Sequence, residues 1–214
     1  MLLNEILGEA KQQFKSRVPE HAQAEIFGLI HEQQQSGKVY GLREGHQAPD
    51  FTLPSTTGVA VNLVEQLAKG PVVLTFYRGG WCPYCNLQLR AYQSILPEIE
   101  ALGGRLIALS PQNPENTLSQ QEKEDLNFHV FSDPNGKVAS LYDILFELPT
   151  SLQEVMLHTL KLDLLDYNAA NRWILPIPST FIIDRSGIIR FTYVNPDFMQ
   201  RLEPQVILEQ LKNL

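Results

Sequence analysis

The chain carries two cysteines, standing three apart in Trp81-Cys82-Pro83-Tyr84-Cys85. Two thiols one helical turn apart can cycle between a dithiol and a disulfide, one sulfur reacting first and the other resolving it. The thiolate is the reactive form, and an unperturbed thiol has a pKa of about 8.5. A helix N-terminus lowers that value through unpaired N–H groups and a partial positive charge. Arg78, just upstream, adds a cation. A structural zinc site is disfavoured, because zinc takes about four ligands and no second Cys or Cys/His pair accompanies this one. No metal ligand set or phosphate-binding loop is legible elsewhere.

The neighbouring sequence supplies the required junction. Val72-Val73-Leu74-Thr75-Phe76-Tyr77 is apolar and β-branched, as in a buried strand. Gly79-Gly80 ends it and gives the backbone freedom. Pro83 suits a first helical turn, where its missing N–H costs nothing. Apolar residues then recur at helical spacing, predicting one helix that ends near Gly103-Gly104. Trp81 and Tyr84 flank the thiols and are expected to line the entrance to them.

Around this junction the pattern alternates. Strands are expected over 105–110 and 127–131, with a polar helix over 114–126 between them and a short helix over 137–146. Earlier, 45–53 enters a short strand, Ser55 to Gly58 turns, 59–63 returns, and 64–69 forms a helical turn. Residues 181–184 and 188–194 form a hairpin about Arg185-Ser186-Gly187, and 203–211 is a last amphipathic helix. Such alternation indicates an α/β fold with parallel strands. Residues 147–175 interrupt it as a helical insertion packing near the site; His158 within it is read as solvated or packed. Residues 1–40 form an N-terminal helical extension, two stripes (Leu3, Ile6, Leu7, Ala10, Phe14; then Ala22, Ile26, Leu29, Ile30) separated by Pro19. No chemistry is legible there, His21 and His31 are expected in solvent, and docking or dimerisation is the functional alternative. The remainder, 41–214, is one domain.

The net charge of −7 excludes a basic nucleic-acid footprint. No run is long and apolar enough to span a membrane, and the start does not read as a signal peptide. A lone CxxC without a disulfide framework fits a reducing cytoplasm.

Several stretches together resemble the alkyl hydroperoxide reductase/thiol-specific antioxidant family, in its peroxiredoxin-like branch with a CxxC. They are Ala48-Pro49-Asp50-Phe51-Thr52-Leu53, Phe76-Tyr77 with Cys82-Pro83-Tyr84-Cys85, Phe131-Ser132-Asp133-Pro134-Asn135-Gly136 and Ser179-Thr180-Phe181-Ile182-Ile183-Asp184. The resemblance runs over roughly residues 45–213. It implies a thioredoxin-like fold, a central mixed sheet flanked by helices, with Pro178 as a cis-proline facing the thiols. It also implies no cofactor beyond an external thiol reductant such as thioredoxin or glutathione. Where typical members place Pro, Thr, the peroxidatic Cys and, before the Ser-Thr-Phe strand, an Arg, this chain has Arg78, Cys82, Cys85 and Pro178. By that register Cys85 is attacked by peroxide and Cys82 resolves, and Arg78 is the candidate for the missing guanidinium. Thr75 stands where thioredoxins keep a buried carboxylate, while Cys-Pro-Tyr-Cys is the glutaredoxin form of the motif.

Three functions share these residues. The first is a thiol peroxidase. The second is a protein disulfide oxidoreductase in which Cys82 attacks a partner disulfide and Cys85 resolves. The third is a redox-sensing interaction module. Substrates are then peroxides or disulfides, and a homodimer is left open.

Overall fold

The computed structural model describes residues 2–55 and 58–214. Two helices open the chain, α1 (Leu3–Arg17) and α2 (Glu20–Gln35), with Pro19 starting the second. A small antiparallel hairpin follows, β1 (Thr52–Pro54) with β2 (Ala60–Asn62), and then α3 (Leu63–Leu67). The expected turn between β1 and β2 falls on Thr56 and Thr57, outside the described residues. Next come β3 (Val72–Phe76), α4 (Pro83–Ser94) and α5 (Leu96–Ala101). They lead to β4 (Arg105–Ser110), α6 (Pro114–Lys123), β5 (His129–Ser132) and α7 (Lys137–Leu141). The last part holds β6 (Leu145–Glu147), α8 (Thr150–Glu154), α9 (Leu164–Tyr167), β7 (Ile174–Pro176), β8 (Ser179–Ile183), β9 (Ile189–Val194) and α10 (Pro204–Lys212).

Five strands form the central sheet in the order β5-β4-β3-β8-β9. β3, β4 and β5 run parallel; β8 and β9 run antiparallel to their neighbours. The sheet is therefore mixed, with β3 at its centre. Both faces of β3 are covered, so its residues are continuously buried rather than alternating, and all but Thr75 are apolar. Val73 and Tyr77 face the core shared with α1, α2, α4 and α10. Val72, Leu74 and Phe76 face the opposite core with α3 and α7.

Three expectations are corrected. The helix after the cysteines does not run unbroken to Gly103: it breaks at Ile95, and Pro97 lies in the first turn of α5, since a proline has no amide to give to the carbonyl four residues back and its ring clashes with that carbonyl. The helix expected over 137–146 stops at Leu141; Leu145–Glu147 instead pairs with β7, its carbonyls and amides finding partners there. Pro178 is not a cis-proline, as every peptide bond among the described residues is trans. An X–Pro bond favours trans by about 0.5–1 kcal/mol unless the surroundings demand otherwise. Here the segment is already anchored in the trans form, by Ile177 N–H donating to Ile144 O at 2.8 Å and Asn195 N–H to Pro178 O at 3.4 Å.

Candidate active site

The strand-to-helix junction forms where the sequence implies. β3 ends at Phe76, and the chain turns through Arg78, Gly79 and Gly80 into α4, with Cys82 at the N-cap and Pro83 in the first turn. Gly79 has φ of 147°, and a Cβ there would stand 2.5 Å from Trp81 Nε1, so the turn requires glycine. Cys82 N–H donates to Gly79 O at 3.1 Å, and Cys85 N–H to Cys82 O at 3.0 Å.

A buried polar network holds this loop from below. Gln112 Nε2 donates to Tyr77 Oη (3.0 Å) and Gln120 Oε1 (2.7 Å), while Tyr77 Oη–H donates to the same Gln120 oxygen at 2.9 Å. Gly80 N–H donates to Gln112 Oε1 at 2.9 Å, and Gln120 Nε2 to Asn86 Oδ1 at 2.7 Å. Asn86 Nδ2 closes the ring by donating to Gly80 O at 2.8 Å.

Both thiols are free and buried, Cys82 at 1% and Cys85 at 0% exposure. Their environments differ. Cys82 occupies the N-cap but its sulfur makes no capping hydrogen bond. Cys85 Sγ accepts from Arg78 N–H at 3.4 Å and from Arg201 Nη2 at 3.4 Å, and the two thiols hydrogen-bond each other. Burial pushes the Cys85 thiol up. The Cys82 hydrogen bond, the Arg201 and Arg78 guanidiniums and the Arg78 amide outweigh it and hold Cys85 well below its ordinary value. Cys82 is held well above it, by burial first and then by the hydrogen bond to, and charge of, Cys85. The sulfur that carries the charge is therefore Cys85.

Arg201 was not legible as a site residue. It lies in the loop before α10, is 2% exposed, and forms no ion pair with a carboxylate among the described residues. Its Nε donates to Gln88 Oε1 at 2.6 Å, and its Nη1 donates to Phe198 O and, at 2.8 Å, to Gln200 O. A buried cation without a carboxylate needs another anion nearby, and the Cys85 thiolate is the group in contact. Gln88 continues the chain by donating to Thr75 Oγ1 at 3.0 Å, so Thr75 serves as a hydrogen-bonding anchor rather than a proton carrier. Gln88 carried a signal: with Cys85, Leu89 and Tyr92 it sits on the buried stripe of α4, where an amide is out of place unless bonded. Arg201 carried none, since an arginine between loop and helix reads as solvent-facing.

The expected supporting residues gather at a cavity of about 310 Å³ beside the thiols. Arg78, Trp81, Pro83, Tyr84 and Pro178 line it together with Cys82; Cys85 lies behind. The Arg78 guanidinium stacks on Phe198 (3.9 Å to the ring centroid) and Trp81 (4.9 Å) rather than touching a sulfur. The guanidinium in contact with Cys85 is thus that of Arg201, with Arg78 contributing its amide and a more distant charge. Tyr84 is buried against Phe198, and burial pushes its hydroxyl up to about 12. The N-terminal helices, read as devoid of chemistry, supply one side of this cavity through Phe14, Val18, Ile26 and Ile30.

A family model described as AhpC/TSA family matches residues 45–192. The chain belongs to the AhpC/TSA family. An AhpC/TSA relative from Helicobacter pylori, named putative peroxiredoxin bcp, is 33% identical over 101 residues, 47% of this chain and 66% of the relative. The chain thus spans just under two thirds of that relative's length. The thioredoxin-like protein YneN of Bacillus subtilis is 27% identical over 174 residues, 81% of this chain and 85% of the relative. Among solved structures, peroxidoxin BcpB from Mycobacterium tuberculosis superposes with a TM-score of 0.63 at 20% identity, covering 81% of this chain and 98% of its own. That likeness establishes the thioredoxin-type mixed sheet flanked by helices. α1 and α2 lie outside the segment matched by the AhpC/TSA model.

Proposed function

We propose that the protein is a thiol peroxidase that reduces hydroperoxides through a Cys82/Cys85 dithiol–disulfide cycle. The observation that carries this reading is the Arg201 guanidinium and Arg78 amide meeting at Cys85 Sγ. The Cys85 thiolate attacks the terminal peroxide oxygen, the O–O bond breaks, and the alcohol or water leaves with a proton. Cys85 is then a sulfenic acid. Its negative charge is gone, and with it two of the influences that hold the Cys82 thiol up. Cys82 can now ionise and attack the sulfenic sulfur, expelling water and forming the Cys82–Cys85 disulfide. External thiols reduce that disulfide, and no prosthetic group takes part. The names of the peroxiredoxin relatives support this reading, and a reducing compartment such as the cytoplasm suits two free thiols.

A second reading is thiol–disulfide exchange with Cys82 as the attacking sulfur, favoured by Cys82 rather than Cys85 lining the cavity. Single-turnover oxidation by hydrogen peroxide separates the two, followed by tryptophan fluorescence in wild type, Cys82→Ser and Cys85→Ser. Fast oxidation is expected wherever Cys85 remains, with Cys82→Ser stopping at the sulfenic acid. Oxidation no faster than that of a free thiol in every form would discard the peroxidase.

A further inference from the structure

The cavity beside the thiols is closed on one side by α1 and α2, which lie outside the residues that the AhpC/TSA model covers. α1, α2 and the link between them give it Phe14, Ile26, Ile30 and Val18, and the segment after β6, within the matched residues, gives it Leu152 and Met156. That segment is irregular. α8 passes directly into a π-helical turn over Val155–Thr159, and Lys161 follows with φ of 55°. Turns of this kind are rare and recur at functional sites. The lining is largely apolar, with Gln33, Arg78 and Lys161 as its polar members, and no acidic side chain contributes to it. A space of about 310 Å³ is of the size that takes a small organic molecule.

Cys82 is on that lining and Cys85 is not. Once the two sulfurs are joined, an attacker entering by the cavity meets Cys82 Sγ. The sulfur then displaced is Cys85, whose thiolate Arg201 and the Arg78 amide stabilise. A disulfide opens faster toward the thiol of lower pKa. Both approach and leaving group therefore select Cys82 as the sulfur the reductant attacks. Cys82 is 1% exposed, and the approach to it is through the cavity that α1 and α2 help to wall. A reductant bearing several charges would lose their hydration inside a largely apolar wall, and a cationic one would also meet Arg78 and Lys161.

We propose that the cavity is the binding site for the reducing co-substrate, a low-molecular-weight thiol on an apolar body. This rests on the dithiol–disulfide cycle proposed above. A first thiolate attacks Cys82 Sγ; the Cys82–Cys85 bond breaks, its electron pair goes to Cys85, and a mixed disulfide joins Cys82 to the thiol. A second thiolate attacks the outer sulfur of that mixed disulfide, releasing the small disulfide and Cys82. Two small thiols are oxidised to one disulfide, and the protein disulfide is reduced by the two electrons they give up. Of their two protons, one ends on Cys82 and the other in solvent.

The test needs no peroxide. The protein is oxidised with diamide, the Cys82–Cys85 bond is verified by intact mass, and reduction is followed by tryptophan fluorescence. The probes are benzyl mercaptan, 2-mercaptoethanol (a thiol of similar acidity without the ring) and reduced thioredoxin. Benzyl mercaptan is expected to show saturation and an advantage over 2-mercaptoethanol on the order of tenfold, the factor that about 1.4 kcal/mol of binding gives. Benzyl alcohol is expected to compete with it. Leu152→Trp, which fills the cavity, is expected to abolish the advantage, and the benzyl alcohol competition in wild type answers the question should that variant fail to fold. Linear kinetics with equal constants for both small thiols, or faster reduction by thioredoxin than by either, would overturn the proposal. A protein that oxidises rapidly with peroxide but shows no such selectivity loses this inference alone. One that shows the selectivity but does not react with peroxide loses the peroxidase reading alone.

Discussion

Arg201 and Cys85 make one unit: the cation is buried without a carboxylate, and the thiol is buried with a charge. Replacing Arg201 with Met keeps the stem and removes the charge and its hydrogen bonds. The wild-type oxidation rate is expected to be half-maximal near pH 5 and flat through neutrality, following the Cys85 thiolate. In Arg201→Met the inflection moves upward, and the rate at pH 7 falls by about ten- to hundredfold as the thiolate fraction drops. Ultraviolet thiolate absorbance across the titration checks the assignment. Unchanged profiles would detach Arg201 from the chemistry. The same shift affects folding. The folded Cys85 gives up its proton near pH 5, against about 8.5 for an unperturbed thiol. Between those values the unfolded state binds more protons, so stability rises with pH, and this contribution disappears as pH falls through the folded value. The raised Cys82 titrates above this window. Urea midpoints of the reduced protein are expected to rise with pH across the window in wild type, with a smaller slope in Cys85→Ser.

At the scale of elements, the site depends on a loop with no regular backbone partners between β3 and α4. The Gln112–Gln120–Tyr77–Asn86 ring replaces them, bringing together α4, α6 and the end of β4. Gln112→Leu would leave Gly80 N–H without its acceptor and Tyr77 without a donor. Each unsatisfied buried group costs about 1–3 kcal/mol. The variant is expected to melt lower, by about 2–4 °C for each kcal/mol lost, and to react more slowly with peroxide because Cys82 and Cys85 lose their support. A melting temperature equal to wild type would show that the ring is dispensable. The sequence disclosed α4 and its apolar stripe, because helical periodicity is local. It did not disclose the ring, because Tyr77 and Asn86 meet Gln112 and Gln120, remote from them in the chain, only when α6 packs across the loop.

At the scale of the molecule, the first helix holds the last loop. Glu203 accepts from Leu3 N–H (2.9 Å) and Asn4 N–H (2.8 Å), capping α1 from the opposite end of the chain. Asn4 Nδ2 donates to Arg201 O at 2.7 Å, and Arg201 N–H returns a bond to Asn4 Oδ1 at 3.0 Å. Lys11 pairs with Asp197 at 3.4 Å beside them. The N-terminal helices therefore position the guanidinium as well as walling the cavity. Asn4→Ala is expected to lower stability by about 1–2 kcal/mol and to raise the Cys85 pKa, although Asn4 touches neither sulfur. A thiol titration indistinguishable from wild type would confine α1 to packing.

The sequence by itself determined the reactive pair, the strand and helix that present it, and the order of alternating elements. Each of these is written in nearest neighbours: a CxxC, an unbroken β-branched run, a proline at a helix start, a period of 3.6 or 2. It also carried the family, through short stretches whose residues stand together. The tertiary structure decided the rest. Which sulfur bears the charge depends on Arg201, remote from Cys85 in the chain, since electrostatic influence follows distance in space and burial rather than order in sequence. The trans form of Pro178 depends on what anchors that segment. The cavity exists because α1, α2 and α8 close over Cys82, and an apolar stripe on a helix says that it will be buried but not against what.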